Sequence, residues 1–474
     1  MAMTLIAEPQ DFTPAYNPCK FIYNSTNKNN EGFRYIFDVY EEGTVNKVAE
    51  YRVLPTFGTG YGEVDLSKLL GAKVAPDFQP TNTSEIDTPT SRFNYDVKVG
   101  EEYIVTFNYT ANLTNNSGNV KITPTVAHTF LVGDQVVVNA GNNTLISGLW
   151  TVISVTGTSD FTINASWSNV VDPTENGTVK YADNRKTIVR DIATTLNKWV
   201  FNGARSWVSF PNYALTDYRL DNTSALFLTS MSYRKMTITP TQEIWFNGFN
   251  NGVTGRVVFN NSNGDSFYYD VTNTEITTQL CVASPNLNLT VISGTLPLIK
   301  SDTTYYEFYF TDGIAPPDSQ TYTFDIDQRC AINDYYLVFL DRMGSWGSFA
   351  FQLRTYETGT STKQSFNKTV EGKVGGTEWT YTSYERGMTT YSSTVEKNLQ
   401  LNSNWMDEQM AIYFQELITS PVVYLWDGAK YLACVVQETA FEVERQKNKN
   451  LIKKTVNVKL ANQDKINLRV YAYN

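Results

Sequence analysis

Between Phe93 and Tyr109 the chain alternates almost without interruption, as Phe93-Asn-Tyr-Asp-Val-Lys-Val99 and then Tyr103-Ile-Val-Thr-Phe-Asn-Tyr109. A period of two puts apolar residues on one face of a pleated strand and polar residues on the other, and no helix reproduces it. Related aromatic and β-branched runs recur at Phe33-Arg-Tyr-Ile-Phe-Asp-Val-Tyr40, Glu243-Ile-Trp-Phe246, Ser266-Phe-Tyr-Tyr269 and Tyr335-Tyr-Leu-Val-Phe-Leu340. The fold class they predict is mainly β, built as multi-domain antiparallel β-sandwiches. Composition supports it, because 30 Tyr, 26 Phe and 9 Trp carry too much apolar area for a disordered chain. Only 18% of residues are charged, and Asn, Thr and Ser supply turns and half-buried strands with polarity.

At 474 residues the chain is long enough for about three domains with cores of their own. Its punctuation divides it into an N-terminal β-sandwich over 1–112, a small module over 113–182, a second β domain over 183–318, and a C-terminal β domain over 319–474. The module opens on Asn115-Asn-Ser-Gly-Asn119, closes on Asp172-Pro-Thr-Glu-Asn-Gly177, and holds short runs such as Gln135-Val-Val-Val138 and Phe161-Thr-Ile163. It reads as a β-barrel-like insertion into a loop of its host. Helical signals are few. Glu63 to Leu70 reads as a short helical turn, and so does Asp191 to Leu196, where Ile188, Ile192 and Leu196 recur every four residues. One helix is predicted over 404–418, capped by Asn404, with Met406, Met410, Phe414, Leu417 and Ile418 on one face and Pro421 as its stop. Two hairpins follow: Val422–Trp426 turns at Asp427-Gly428 into Tyr431–Val436, and Phe441–Glu444 turns through Arg445–Asn450 toward Thr455–Leu460.

The chemistry a chain can perform is bounded by its side chains, and this one has a single histidine. A Ser-His-Asp, Cys-His or multi-histidine zinc site would have to be built on His128 alone. His128 is read as a turn or strand-edge residue donating to the backbone. Cys19, Cys281, Cys330 and Cys434 lie far apart with no C-x-x-C pair, so isolated buried thiols are expected. The adjacent acids Glu41–Glu42, Glu101–Glu102 and Asp407–Glu408 point to opposite sides of an extended chain and read as solvated surface acids. Asp325-Ile-Asp327 and the 172–176 stretch are oxygen-rich but lack a calcium-loop pattern. Gly344-Ser-Trp-Gly347 and Val374-Gly-Gly376 read as turns, since neither has the Lys-Ser/Thr of a phosphate loop. No catalytic residue, cofactor or metal is expected.

Lys and Arg number 38 against 48 Asp and Glu, a net charge of −10, which disfavours nucleic-acid binding through phosphate neutralisation. The N-terminal residues lack a basic and apolar leader pattern, and the longest apolar runs fall far short of about 20 residues, so no membrane insertion is expected. Against the acidic background, Arg445, Lys447, Lys449, Lys453 and Lys454 form a basic cluster. It reads either as a solvated hairpin tip or as a patch that docks on an acidic neighbouring subunit. Together with Trp405 at the start of the helix, these residues are the candidate interface.

The order of segments carries a resemblance. Glu8-Pro9 and Asn17-Pro18, Phe33–Tyr40, Gly62-Glu-Val-Asp-Leu-Ser67, Val200-Phe-Asn-Gly-Ala204, Leu226-Phe-Leu-Thr229, Tyr336–Trp346 and the run from Trp405 to Tyr424 resemble virion structural proteins of crAss-like and related tailed phages of Bacteroidetes, specifically tail-hub and neck-ring proteins. The stretch with His128-Thr-Phe130, Gly133-Asp134 and Gly148-Leu-Trp-Thr-Val152 is similar to a small β-module recurrent in phage proteins. The resemblance spans most of the chain, rests on structural motifs and transfers no catalytic residue. It implies a non-enzymatic virion component of the tail or neck, synthesised in the host bacterial cytoplasm. Such a component assembles around the particle axis as a homo-oligomeric ring, six- or twelve-fold, among other tail and neck proteins. Sequence-specific nucleic-acid binding is not expected, although a ring would lie near packaged DNA. The alternatives are a receptor- or glycan-binding appendage or fibre, and a depolymerase-type hydrolase.

Overall fold

The computed structural model describes residues 3–78, 84–104, 108–141, 144–167, 174–182, 186–221, 224–250, 252, 254–272, 275–285, 287, 297–313, 317–329, 335–369, 373–374, 379–380, 383, 387–438, 452–462 and 464–466. The fold is mainly β, in several antiparallel sheets with few helices, as the alternation predicts. It divides into two units, each discontinuous in sequence: Met1–Asp11 with Pro18–Leu66 and Asn94–Lys198, and Phe12–Asn17 with Ser67–Phe93 and Trp199–Asn474.

In the first unit, strand Arg34–Glu41 lies between Lys47–Val53 and Arg92–Ile104, with Phe37 opposite Val99 and Tyr51. Alternation sends Tyr35, Phe37, Val39, Tyr95, Val97 and Val99 to one face, where all are fully buried. That face packs on the smaller sheet of Met3–Ala7, Lys20–Ser25 and Gly62–Asp65, through Phe21 against Tyr95 and Tyr23 against Phe37. Gly62 lies against the Tyr35 ring, so closely that a Cβ there would sit 2.3 Å from Tyr35 Cγ. The Tyr35 hydroxyl accepts the Ser25 amide at 3.0 Å and donates to Gly60 O at 2.9 Å.

Six strands of the same unit close into a barrel: Asn108–Asn116, Asn119–Pro124, Gln135–Asn139, Gly148–Thr156, Asp160–Ser166 and Thr174–Tyr181. Leu113, Val120, Ile122, Phe130, Val136, Val138, Phe161 and Ile163 fill it. The sequence predicts a barrel-like module over 113–182; the closed barrel starts earlier, with strand Asn108–Asn116, and ends with Thr174–Tyr181. Its first and last strands pair with each other, with Asn108 opposite Lys180. After it, Lys186–Phe201 forms one strand, so the helical turn expected at Asp191–Leu196 does not exist. Positions 188, 192 and 196 are all even, and a four-residue repeat satisfies a period of two as well as it does a helix. The strand changes its buried side at Asn197 (φ 59°): Thr195 is buried before it, and Lys198 and Val200 after it.

In the second unit, an eleven-stranded sheet and a five-stranded sheet share a core among the described residues. Phe246 of Ile244–Phe249 meets Phe308, Tyr322 and Phe324 of the smaller sheet at ring separations of 5.4–6.4 Å. Aromatic pairs at such distances add specific geometry to area burial. The predicted helix exists as Glu408–Thr419, and its Tyr413 and Phe414 rings pack on Phe339 and Phe349. Its cap is Asp407, not Asn404: Asp407 Oδ1 accepts the Met410 amide at 2.7 Å, whereas Asn404 bonds to Asp327 and Gln352. Asp407 wins because Met406 is drawn into an antiparallel bridge with Ile452, which holds the chain extended past Asn404. Substituting Asp407→Ala removes about 1 kcal/mol of capping. Amide hydrogen exchange at Met410 is expected to accelerate in Asp407→Ala and to stay at the wild-type rate in Asn404→Ala.

One edge of the large sheet extends into a ribbon, Tyr356–Asn367 paired with Met388–Asn402. All twelve residues of Tyr356–Asn367 are exposed. The inner strand is backed by Thr455–Leu460 along Asn398–Asn402 and by Asp464–Ile466 along Ser393–Val395. Farther out, the described ribbon is two strands alone.

Candidate interaction surface and buried carboxylates

Arg445, Lys447 and Lys449, with the first strand and turn of the hairpin predicted around them, lie outside the described residues, while its return strand Thr455–Leu460 pairs with Asn398–Asn402 on one side and Cys434–Val436 on the other. Trp405, Lys453 and Lys454 are brought together. Ser403 N donates to Lys454 O at 2.9 Å, Met406 N to Ile452 O at 2.8 Å, and Ile452 N to Met406 O at 2.7 Å. Met406 and Ile452 turn inward as a buried pair, which leaves Trp405 (59% exposed) and Lys453 on the outside. Arg329, held bidentately by Asp327 at 2.8 and 2.6 Å, borders the same strip through the Asn404–Asp327 bond. The Arg329 guanidinium beside Asp327 holds that carboxyl below the usual range. An exposed indole flanked by cations is the chemistry of a protein-docking anchor.

The acids with the most unusual surroundings are ones that a search for neighbouring pairs misses. Asp341 occupies the turn between Tyr335–Leu340 and Trp346–Phe351 and is completely enclosed. Its Oδ2 accepts Thr229 Oγ1 at 2.7 Å and Ser230 N at 2.8 Å, and its Oδ1 accepts Met343 N and Ser345 N at 2.9 Å each. Gly344 (φ 88°) closes the turn where a side chain would strike Asn202 O. Burial pushes the Asp341 carboxyl up to about 6, against the pull of the Ser230 and Thr229 donors and with a further push from Glu416. Glu416, on the helix, is also raised by burial, while Arg342 pulls it down through a 2.9 Å ion pair. Arg342 and Glu416 line two clefts in this unit, of about 470 and 370 Å³. With four donors from the chain itself, Asp341 ties the 229–230 segment to the 341–345 turn and leaves no lone pair facing a substrate. The sequence turn read at Gly344–Gly347 is real but shifted, since Trp346 and Gly347 already belong to the next strand.

Other sequence expectations are corrected by packing. Glu101 and Glu102 are buried and not solvated. Glu101 accepts Ser25 Oγ at 2.7 Å and Asn27 Nδ2 at 2.6 Å, and Glu102 pairs with Arg52 at 2.8 Å, each on its own side of the strand. Asp407 is a helix cap, while Glu41 and Glu42 are exposed. His128 is buried in the barrel between Phe130 and Phe161, and its Nδ1 accepts the Phe130 amide at 3.2 Å instead of donating to the backbone. Cys19, Cys281 and Cys434 are free and buried, and burial lifts the Cys19 and Cys434 thiols to about 12, far from thiolate reactivity. Cys330 lies outside the described residues.

Among the described residues, no helix is long and apolar enough to cross a membrane, and no group of three or more His, Cys, Asp or Glu side chains is placed to hold a metal ion. Fold and surface together define a mainly β protein of aromatic-cored sheets that carries an exposed indole–cation strip and an exposed ribbon. No family model matches the sequence, and no curated protein does. Among solved structures the chain is similar to a phage phi92 endosialidase at 10% identity, the match covering 100% of this chain and 71% of that one with a TM-score of 0.15. At that score the likeness bears on neither fold nor chemistry.

Proposed function

We propose that the chain is a non-enzymatic virion structural protein of a tailed phage, a ring or hub subunit of the tail or neck that acts through contacts between subunits. The observation that carries this reading is the ribbon, whose outer strand is exposed at every position from Tyr356 to Asn367. A strand that adds nothing to its own core and ends a sheet offers its free edge to a neighbour. The Trp405–Lys453 strip supplies a second docking element, and the segment-by-segment resemblance to tail-hub and neck-ring proteins supports the setting. Rings arise when one patch meets a different patch on the next copy and the rotation closes. Electron microscopy of the purified full chain tests the reading: rings of about six or twelve subunits are expected, and compact trimers or persistent monomers overturn it. The appendage reading draws on Trp207 and Val208, 82% and 84% exposed at the head of a short 3₁₀ segment. Retention on a glycan array by trimeric protein would favour that reading.

A further inference from the structure

The free edge of strand Tyr356–Asn367 shows a symmetry of its own. The strand ends the large sheet, and among the described residues its only neighbour is Met388–Asn402. Register along that neighbour is unbroken from Tyr356 to Gln364, and the first irregularity falls between Gln364 and Ser365. Natural edge strands are blunted by proline, bulges or several charges. This stretch, Tyr356-Glu-Thr-Gly-Thr-Ser-Thr-Lys-Gln364, has no proline, no bulge and two charges, Glu357 and Lys363.

We propose that free copies of this chain pair along this edge with a second copy of themselves, antiparallel and centred on Thr360. In that register Glu357 stands opposite Lys363 of the second copy, Thr358 opposite Thr362, Gly359 opposite Ser361 and Tyr356 opposite Gln364. Directly opposed residues of an antiparallel pair share a face, and opposite charges or threonines in such positions attract. Positions 357 and 363 have the same parity, so Glu357 and Lys363 meet on one face, and two-fold symmetry makes the pair twice. No other antiparallel self-register opposes these two charges. Within one copy Lys363 has no ion pair among the described residues, and Glu357 reaches only the half-exposed Lys397, at 3.6 Å. Pairing places Lys363 of the second copy on the far side of Glu357 from Lys397. It also joins the large sheets of the two copies edge to edge, because the paired stretch lies along Ser392–Gln400 of the neighbouring strand.

The contact is two-fold and therefore differs from the repeated contact of a ring whose subunits all face one way. It is the state of the free subunit, and it stands independently of the ring reading. Nine paired residues bury less than the ~1,000 Å² of a stable complex, so the dimer is weak and concentration-dependent.

Sedimentation velocity on the full chain, from about 1 to about 100 μM, tests the pairing over the range expected of a weak interface. Wild type is expected to show a reversible monomer–dimer equilibrium. Lys363→Glu and Glu357→Lys alone each weaken it by about tenfold or more, because each sets like charges opposite one another twice. An equimolar mixture of the two single variants restores the dimer as a heterodimer, and the double variant restores it as a homodimer. A wild type that stays monomeric, single variants that dimerise as well as wild type, or mixtures that fail to recover would each overturn the pairing. Rings that persist in every variant with no charge-dependent dimer leave the ring reading standing and sink this one. A dimer that follows the charge swap in protein that never forms rings does the reverse.

Discussion

Asp341→Ala is expected to lower the melting temperature of the protein by about 5 °C, corresponding to roughly 4 kcal/mol. Among the described residues the carboxylate is the only acceptor for Thr229 Oγ1 and for the Ser230, Met343 and Ser345 amides. Removing it leaves four donors facing each other in an enclosed space, and each buried donor without a partner costs about 1–3 kcal/mol before relaxation. The loss has a pH signature. Folding raises the Asp341 carboxyl to about 6, above the ~3.9 of an unfolded chain. The folded state therefore holds this proton more tightly. The stabilisation it contributes is complete below about pH 4 and is lost as pH rises through about 6, an amount on the order of 3 kcal/mol. Alanine has nothing to titrate, so the gap in stability between wild type and variant is widest on the acid side and narrows above pH 6. Denaturant melts of both proteins at several pH values read this directly, and a gap that does not change with pH would contradict it.

Gly62→Ala is expected to destabilise the first unit by about 3 kcal/mol, the upper range for overpacking a core. The single added carbon would stand 2.3–2.7 Å from three atoms of the Tyr35 ring. That ring is fully buried, and its hydroxyl is fixed at both ends by Ser25 N and Gly60 O, so it has no room to turn aside. The backbone at Gly62 is not in the left-handed region, so the effect is steric and not conformational. A double-mutant cycle separates the two explanations. If the clash is the cause, Gly62→Ala costs almost nothing on a Tyr35→Ala background, whereas a backbone effect would persist there.

What could be read from the sequence follows from how local each signal is. Strands such as Arg34–Glu41 and Tyr335–Leu340 announce themselves because their pattern needs only neighbouring residues. The barrel was legible for the same reason, through short runs between Asn- and Gly-rich turns. Asp191–Leu196 misled because residues four apart share a face in both a helix and a strand. The helix was found but its cap misplaced, since Asn404 and Asp407 are both good caps and only the pairing of Met406 with Ile452 decides between them. Asp341 and Glu416 left no trace, because their meeting depends on packing the helix over a turn far away in sequence. Glu101 and Glu102 look like surface acids until a sheet brings Ser25, Asn27 and Arg52 to them. The exposure of Tyr356–Asn367 was also hidden, since its Thr- and Ser-rich alternation would suit a half-buried strand equally well.

The closed barrel has a bearing on how such a chain can change over time. Its entry and exit strands run side by side, with Asn108 across from Lys180, so the two points where it joins the rest of the chain lie about 5 Å apart. A short turn could bridge that gap, and no sheet edge would be bared by cutting there. The module could therefore be removed or exchanged as one piece without unpairing any strand of the sheets outside it.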